Sequence, residues 1–250
     1  MSDDTRGRVR VEPGLKRVRA FLGGAPVFDT VRPLYVWEHP SYPAYYIPRA
    51  DVLADLEPVD RREHSPSRGD AAFFDVVVDG RRAPAAAWAY PESPLAPLRD
   101  AVRFEWAALD EWLEEDEPVY GHPRSPYTRV DILPSSRRIQ VAIDGIEVAD
   151  SDQPRILFET GLPARYYLPL SHVRSELLRP SATRSLCPYK GWASYFSLEV
   201  AGHLYEDYVW IYRTPLPESI RISGLVAFYN EKVDITVDGE LQERPRTVFS

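Results

Sequence analysis

One cysteine, one methionine and three lysines in 250 residues are the first facts about this chain. A single thiol, Cys187, allows no internal disulfide framework. The only lysines are Lys16, Lys190 and Lys232, so nearly all basic charge is arginine. With abundant alanine and proline, that usage points to GC-rich, bacterial coding. No apolar run approaches the roughly 18 residues of a spanning helix. No apolar h-region follows the polar opening Met1-Ser2-Asp3-Asp4-Thr5-Arg6. The expectation is a soluble cytoplasmic protein without membrane partners. Positive charge is also in deficit, with a formal net charge of −8. Such a chain lacks the long-range attraction to phosphate on which nucleic-acid binding rests. No Gly-rich phosphate loop and no Gly-x-Ser-x-Gly elbow occur. The histidines, His39, His64, His122, His172 and His203, are scattered without metal-ligand spacing. The expectation is no metal and no organic cofactor.

What the chain does have is a copy of itself. At an offset of 121, Arg17 falls on Arg138, Gly24 on Gly145, Asp29 on Asp150 and Glu38 on Glu159. Tyr45-Tyr46 falls on Tyr166-Tyr167, and Pro48 on Pro169. One residue is then gained: Pro66 matches Pro188, Gly69 matches Gly191, Trp88 matches Trp210 and Tyr90 matches Tyr212. Later still, Val102-Arg103-Phe104 matches Val226-Ala227-Phe228. The period is far longer than that of a solenoid, so this is a duplicated domain. The expected organisation is a first domain over 8–116, a polar, proline-containing linker over 117–128, and a second domain over 129–250.

Each copy reads as short strands joined by tight turns. Gly23-Gly24, Asp79-Gly80, Asp144-Gly145, Ala201-Gly202 and Asp238-Gly239 separate strand-forming runs. Glycine there tolerates the positive φ of a primed hairpin turn. Twenty-four prolines leave little room for long helices. Short helical turns are expected over 49–56 and 170–178. Residues 106–115 have a helical composition, but their repeat partner, 230–239, reads as strand and turn, so a strand is favoured. The fold class is mainly β: two tandem, pseudo-symmetric copies of a small β-rich domain.

The run Ser185-Leu186-Cys187-Pro188-Tyr189-Lys190-Gly191, leading into Ala193-Ser194-Tyr195-Phe196, resembles the signature loop of the domain of unknown function 427 family. Tyr166-Tyr167-Leu168-Pro169, Trp210-Ile211-Tyr212 and Val226-Ala227-Phe228-Tyr229 match as well. The resemblance covers nearly the whole chain, as two family domains in tandem. It implies a compact β-tent-like fold and carries a nucleotidyltransferase-like label without an established activity. Leu186 stands where the family often has histidine. In the first copy Ser65 replaces Cys187 and Arg68 replaces Lys190.

The candidate chemistry follows from these positions. Cys187 with Lys190 is a possible nucleophile beside a cation, or else a small buried residue and a surface charge or salt bridge to Glu159. Glu38 and Glu159, in otherwise apolar runs, are candidates for acid–base work or for structural pairing with Arg17 and Arg138. Catalytic roles fall to Cys187, Lys190, Glu159 and Tyr167. Ligand contacts fall to Tyr166, Tyr189, Trp210, Tyr212, Arg68 and Glu38. The expected function is binding of a small molecule, anionic or carbonyl-bearing, in a pocket of the second copy, with acid–base or covalent chemistry open. A non-catalytic scaffold is the alternative, and a nucleotidyltransferase-like transferase a distant third.

Overall fold

The computed structural model describes residues 9–247 and 249–250. The chain divides at Ser125/Pro126 into two compact units. The first carries β1 (Arg10–Pro13), β2 (Val18–Leu22), β3 (Ala25–Thr30), β4 (Leu34–Trp37), β5 (Ala44–Pro48), β6 (Asp55–Ser65), β7 (Gly69–Val78), β8 (Arg81–Ala89), β9 (Ala101–Phe104), β10 (Glu111–Glu114) and β11 (Glu117–Pro118). The second carries β12 (Val130–Pro134), β13 (Ile139–Ile143), β14 (Ile146–Ser151), β15 (Arg155–Glu159), β16 (Arg165–Pro169), β17 (Leu178–Cys187), β18 (Gly191–Val200), β19 (His203–Ile211), β20 (Leu225–Phe228), β21 (Asp234–Val237) and β22 (Glu240–Leu241). Among the described residues every helix is a short 3₁₀ turn. No helix there is long and apolar enough to cross a membrane.

Each unit has one seven-stranded and one four-stranded antiparallel sheet. The large sheets run β1-β4-β5-β9-β8-β7-β6 and β12-β15-β16-β20-β19-β18-β17. Identical order in both units is what the repeat in sequence requires. The main core of each unit lies between its two sheets. In the first unit Val18, Val27, Phe28 and Trp112 of the small sheet meet Ile47, Val76, Ala87 and Val102 of the large one. The large sheet also has a covered outer face. Tyr46, Phe73 and Tyr90 form a second cluster there, and Tyr167, Trp210 and Tyr212 do so in the second unit.

The period of two along a strand explains this division. Tyr45 faces the main core and its neighbour Tyr46 the outer face. Tyr166 and Tyr167 divide the same way. The turns follow their chemistry: Asp144 and Gly145 have φ of 50° and 77°, and Asp79 and Gly80 have 46° and 73°.

Three local expectations needed adjustment. The helical turns shrink to Arg49–Asp51, Leu170–His172 and Ser175–Leu177. Residues 106–115 split into a 3₁₀ turn, Trp106–Ala108, and then β10, the equivalent of β21. The stretch read as a linker begins as β11, which pairs with β10 through Glu114↔Glu117. Val119 is buried, and its N–H donates to the Trp112 carbonyl. Backbone pairing and an apolar anchor hold this segment on the first unit, despite its proline and charge.

Candidate functional site

The site of the second unit is built on the hairpin between β17 and β18. Cys187 pairs with Gly191, leaving a three-residue loop, Pro188-Tyr189-Lys190. The Lys190 N–H donates to the Cys187 carbonyl at 3.3 Å, closing one tight turn. Gly191 follows at φ 89°, a left-handed value that suits glycine and returns the chain to the strand. The loop is docked at its back. Ser219 Oγ donates to the Tyr189 carbonyl at 3.0 Å, and the Leu216 N–H donates to the Lys190 carbonyl at 3.1 Å. This fixed backbone turns the Lys190 side chain inward.

Lys190 is 8% exposed, and its Nζ donates to Glu159 at the end of β15. Burial pulls the Lys190 pKa down, but Cys187 and Glu159 beside it outweigh that, and the net shift is upward from 10.5. The ammonium therefore stays charged, with Glu159 as its counter-ion. Cys187 is a free thiol at the edge of this pair and only partly buried.

The aromatic residues form the floor. Trp210 Nε1 donates to the Tyr167 hydroxyl at 3.0 Å. Tyr167 and Tyr212 are both held well above their ordinary pKa, first of all by burial. They act as neutral hydroxyls, not as bases. Trp210 packs on Tyr229 at 4.6 Å between ring centres. The half-buried Tyr195 hydroxyl lies 2.6 Å from Ser185 Oγ and 3.5 Å from the Tyr229 hydroxyl. Beneath them Arg165 grips Glu231 with two hydrogen bonds of 2.7 Å.

The expected residues are thus only partly brought together. Cys187, Lys190 and Glu159 form one polar cluster, while Tyr167, Trp210 and Tyr212 share the outer-face aromatic cluster. Tyr189 is buried in the loop that carries Lys190. Tyr166 is separated from them, because alternation sends it to the opposite face of β16. An open pocket of about 140 Å³ adjoins Tyr166 and includes Asn230, Gln242 and Pro245. It is smaller than the roughly 300–1,000 Å³ of ordinary small-molecule sites.

Glu38 and Arg68 belong to the first unit, where they repeat the ion pair of Glu159 and Lys190. Arg68 Nη1 lies 3.1 Å from Glu38 Oε1, and the Tyr46 hydroxyl donates to the same carboxylate. The alternative pairings of Glu38 with Arg17 and of Glu159 with Arg138 do not form. Arg17 instead pairs with Asp29 and Arg138 with Asp150, across their own hairpins. Both are next-strand neighbours, so the short connection decides the partner.

Sequence reading missed Arg103, Arg165, Glu231, Tyr195 and Tyr229. The signal for Arg103 was present: a charge inside the apolar run Val102-Arg103-Phe104, where the second copy has Ala227. Arg165 and Glu231 are far apart in sequence, and nothing local links them. Among the described residues no cluster of His, Cys, Asp and Glu is arranged to hold a metal ion.

A family model described as a domain of unknown function, DUF427, matches residues 10–115 and again residues 131–239. No curated protein matches the chain. Two matched segments that together span most of the chain place it in that family, as a tandem member.

Proposed function

We propose that, in this tandem member of the family, the outer sheet face of the second unit binds a small carbonyl-bearing molecule and presents it to Cys187. The observation that carries this reading is the contrast within one loop. Lys190 is buried and neutralised by Glu159, while Cys187 three residues earlier remains partly exposed. An anionic ligand gains little from a lysine that already has its carboxylate. A carbonyl oxygen can still accept from half-buried tyrosine hydroxyls such as Tyr195 and Tyr229. The reaction open to such a site is reversible addition. The Cys187 sulfur bonds to the carbonyl carbon, the C=O π pair moves to oxygen, and the thiol proton ends on that oxygen.

The test is native alkylation at neutral pH, followed by thermal shifts with a panel of small aldehydes and ketones. Labelling of Cys187 should be complete under native conditions, and a ligand should slow it. Bound ligand at about 100 times its Kd stabilises the fold by roughly 2.7 kcal/mol. If native Cys187 labels only on unfolding, or no compound shifts the wild type more than Cys187→Ser, the reading fails.

A non-catalytic module is the second reading. It is favoured by the recurrence of the ion pair in the first unit, where Ser65 stands in the place of Cys187. The pair then serves the scaffold in both copies, and only the thiol remains to be explained.

A further inference from the structure

The first unit holds a charge arrangement that the second lacks. Glu38 is shared by two guanidinium groups: Arg68 Nη1 is 3.1 Å from one carboxylate oxygen and Arg103 Nε is 3.0 Å from the other. Tyr46 adds a neutral hydroxyl donor to the same carboxylate. Two cations on one carboxylate leave a surplus of one positive charge. Among the described residues of the second unit, the equivalent position carries no such surplus. There the register that sets Arg103 opposite Trp88 sets Ala227 opposite Trp210.

This surplus charge is poorly hydrated. The side chains of Arg68, Glu38 and Arg103 are 17%, 17% and 26% exposed. Arg68 lies over the Tyr90 ring at 5.3 Å and Arg103 over the Trp88 ring at 4.4 Å. The Nε groups of both are out of solvent without a hydrogen-bond partner, since Arg103 Nε is close to Glu38 but not aligned to donate. Buried donors are nearly always satisfied, and an unsatisfied charged donor is costly. A guanidinium has five N–H donors in a planar fork that fits carboxylate or phosphate oxygens. Glu38, with the Tyr90 hydroxyl that also hydrogen-bonds Arg68, still leaves N–H donors of both arginines over.

We infer that Arg68 and Arg103 of the first unit, held by Glu38 and walled by Trp88 and Tyr90, form a binding site for a small oxyanion, a carboxylate or a phosphate. The site is independent of Cys187 chemistry. The aromatic rings hold the two guanidinium planes in place. An incoming oxyanion neutralises the surplus charge and takes up the unused donors.

The test is titration of the full chain with sodium acetate and, separately, with sodium phosphate, against sodium chloride at matched ionic strength. The arginine Nε–Hε resonances are followed by NMR, and affinity is measured by calorimetry. Saturable binding at one site, with the Arg68 and Arg103 resonances moving, is expected for at least one oxyanion. The arm that saturates at the lower concentration identifies carboxylate or phosphate. Arg103→Ala copies the residue that the second unit already tolerates, and should weaken binding at least about tenfold. Arg103→Lys keeps the charge without the fork and tests the same point should the alanine variant not fold. No change beyond chloride in either arm overturns the inference. So does wild-type affinity in whichever Arg103 variant folds.

Discussion

Lys190→Met removes an ammonium from a place where it and its partner Glu159 are only 10% and 9% exposed. The carboxylate left behind loses its counter-ion while remaining mostly out of water. Removing one member of a buried pair costs about 3–5 kcal/mol. A domain of ordinary size is stable by roughly 5–15 kcal/mol, so the variant should fold with its second unit made marginal. With a urea m-value of about 1–3 kcal/mol/M, a loss of about 4 kcal/mol lowers the midpoint by roughly 1.3–4 M. Glu159→Gln should cost as much, because Lys190 is then the stranded charge. The double variant, Glu159→Gln with Lys190→Met, should recover much of the loss, with a coupling energy of about 2–3 kcal/mol. The pair also has a pH signature. The folded pKa of Lys190 lies above 10.5, so its stabilising contribution is full below that value and is lost as pH rises through the folded one. Urea denaturation of the four proteins, followed by tryptophan fluorescence, measures all of this. Single variants that each lose less than about 1 kcal/mol, with no coupling, would refute the reasoning. The pair would then behave as an exposed, screened one.

The other expectations concern the frame around the sites. Arg17 holds Asp29 below its ordinary 3.8, and Arg138 does the same for Asp150, in each case mainly by hydrogen bonding. Their contribution to stability is present above 3.8 and fades as pH falls through the folded values. Carboxyl ¹³C titration should show Asp29 returning toward 3.8 in Arg17→Gln. Glu231→Gln strands Arg165, which is 7% exposed, and should cost about 3–5 kcal/mol by urea denaturation. Gly191→Ala places a side chain at φ 89°, where its Cβ would meet Leu216 only at 3.5 Å. The cost should therefore be backbone strain alone, about 1–2 kcal/mol in the denaturation midpoint.

The parts of the fold that could be read from sequence were those whose chemistry is local. An Asp-Gly or Gly-Gly pair between strand-forming runs specifies positive φ at two successive residues, and that is a property of the dipeptide. The repeat supplied a second reading of each segment, which is why a strand is favoured for 106–115 despite its helical composition, although only Glu111–Glu114 is one. Strand lengths were less legible. β6 is largely exposed and charged, so no apolar alternation marks its extent, and pairing with β7 alone defines it. The same applies to Glu117–Pro118, where two exposed residues join a sheet through backbone bonds. At the site, alternation could have separated Tyr166 from Tyr167 in advance, since adjacent strand residues face opposite ways. The Glu159–Lys190 pair was legible only as an alternative to a pocket, because sequence does not say whether a lysine points inward. Arg165 with Glu231 left no trace at all.

The duplication serves as an internal control on what each position is for. An acidic residue at the end of the strand and a cation in the hairpin loop occur in both units, with arginine in one and lysine in the other. What recurs in both needs only the shared fold to explain it. The differences lie around that common pair. The first unit adds Arg103 and has Phe73 and Glu105 where the second has Tyr195 and Tyr229. The second replaces Arg103 with Ala227 and Ser65 with Cys187, and supplies Arg165 in place of Ala44. Arg165 arrives with its own buried counter-ion, Glu231, so it restores a cation near the tryptophan without restoring the surplus charge. One copy has therefore gathered unspent guanidinium donors around a carboxylate. The other pairs Lys190 with Glu159 and Arg165 with Glu231, and gathers hydroxyls beside a thiol. The first arrangement favours an oxyanion, and the second favours a neutral molecule with a polarised oxygen. The two proposed sites should therefore take different chemical classes, and a ligand that occupies one should leave the other empty.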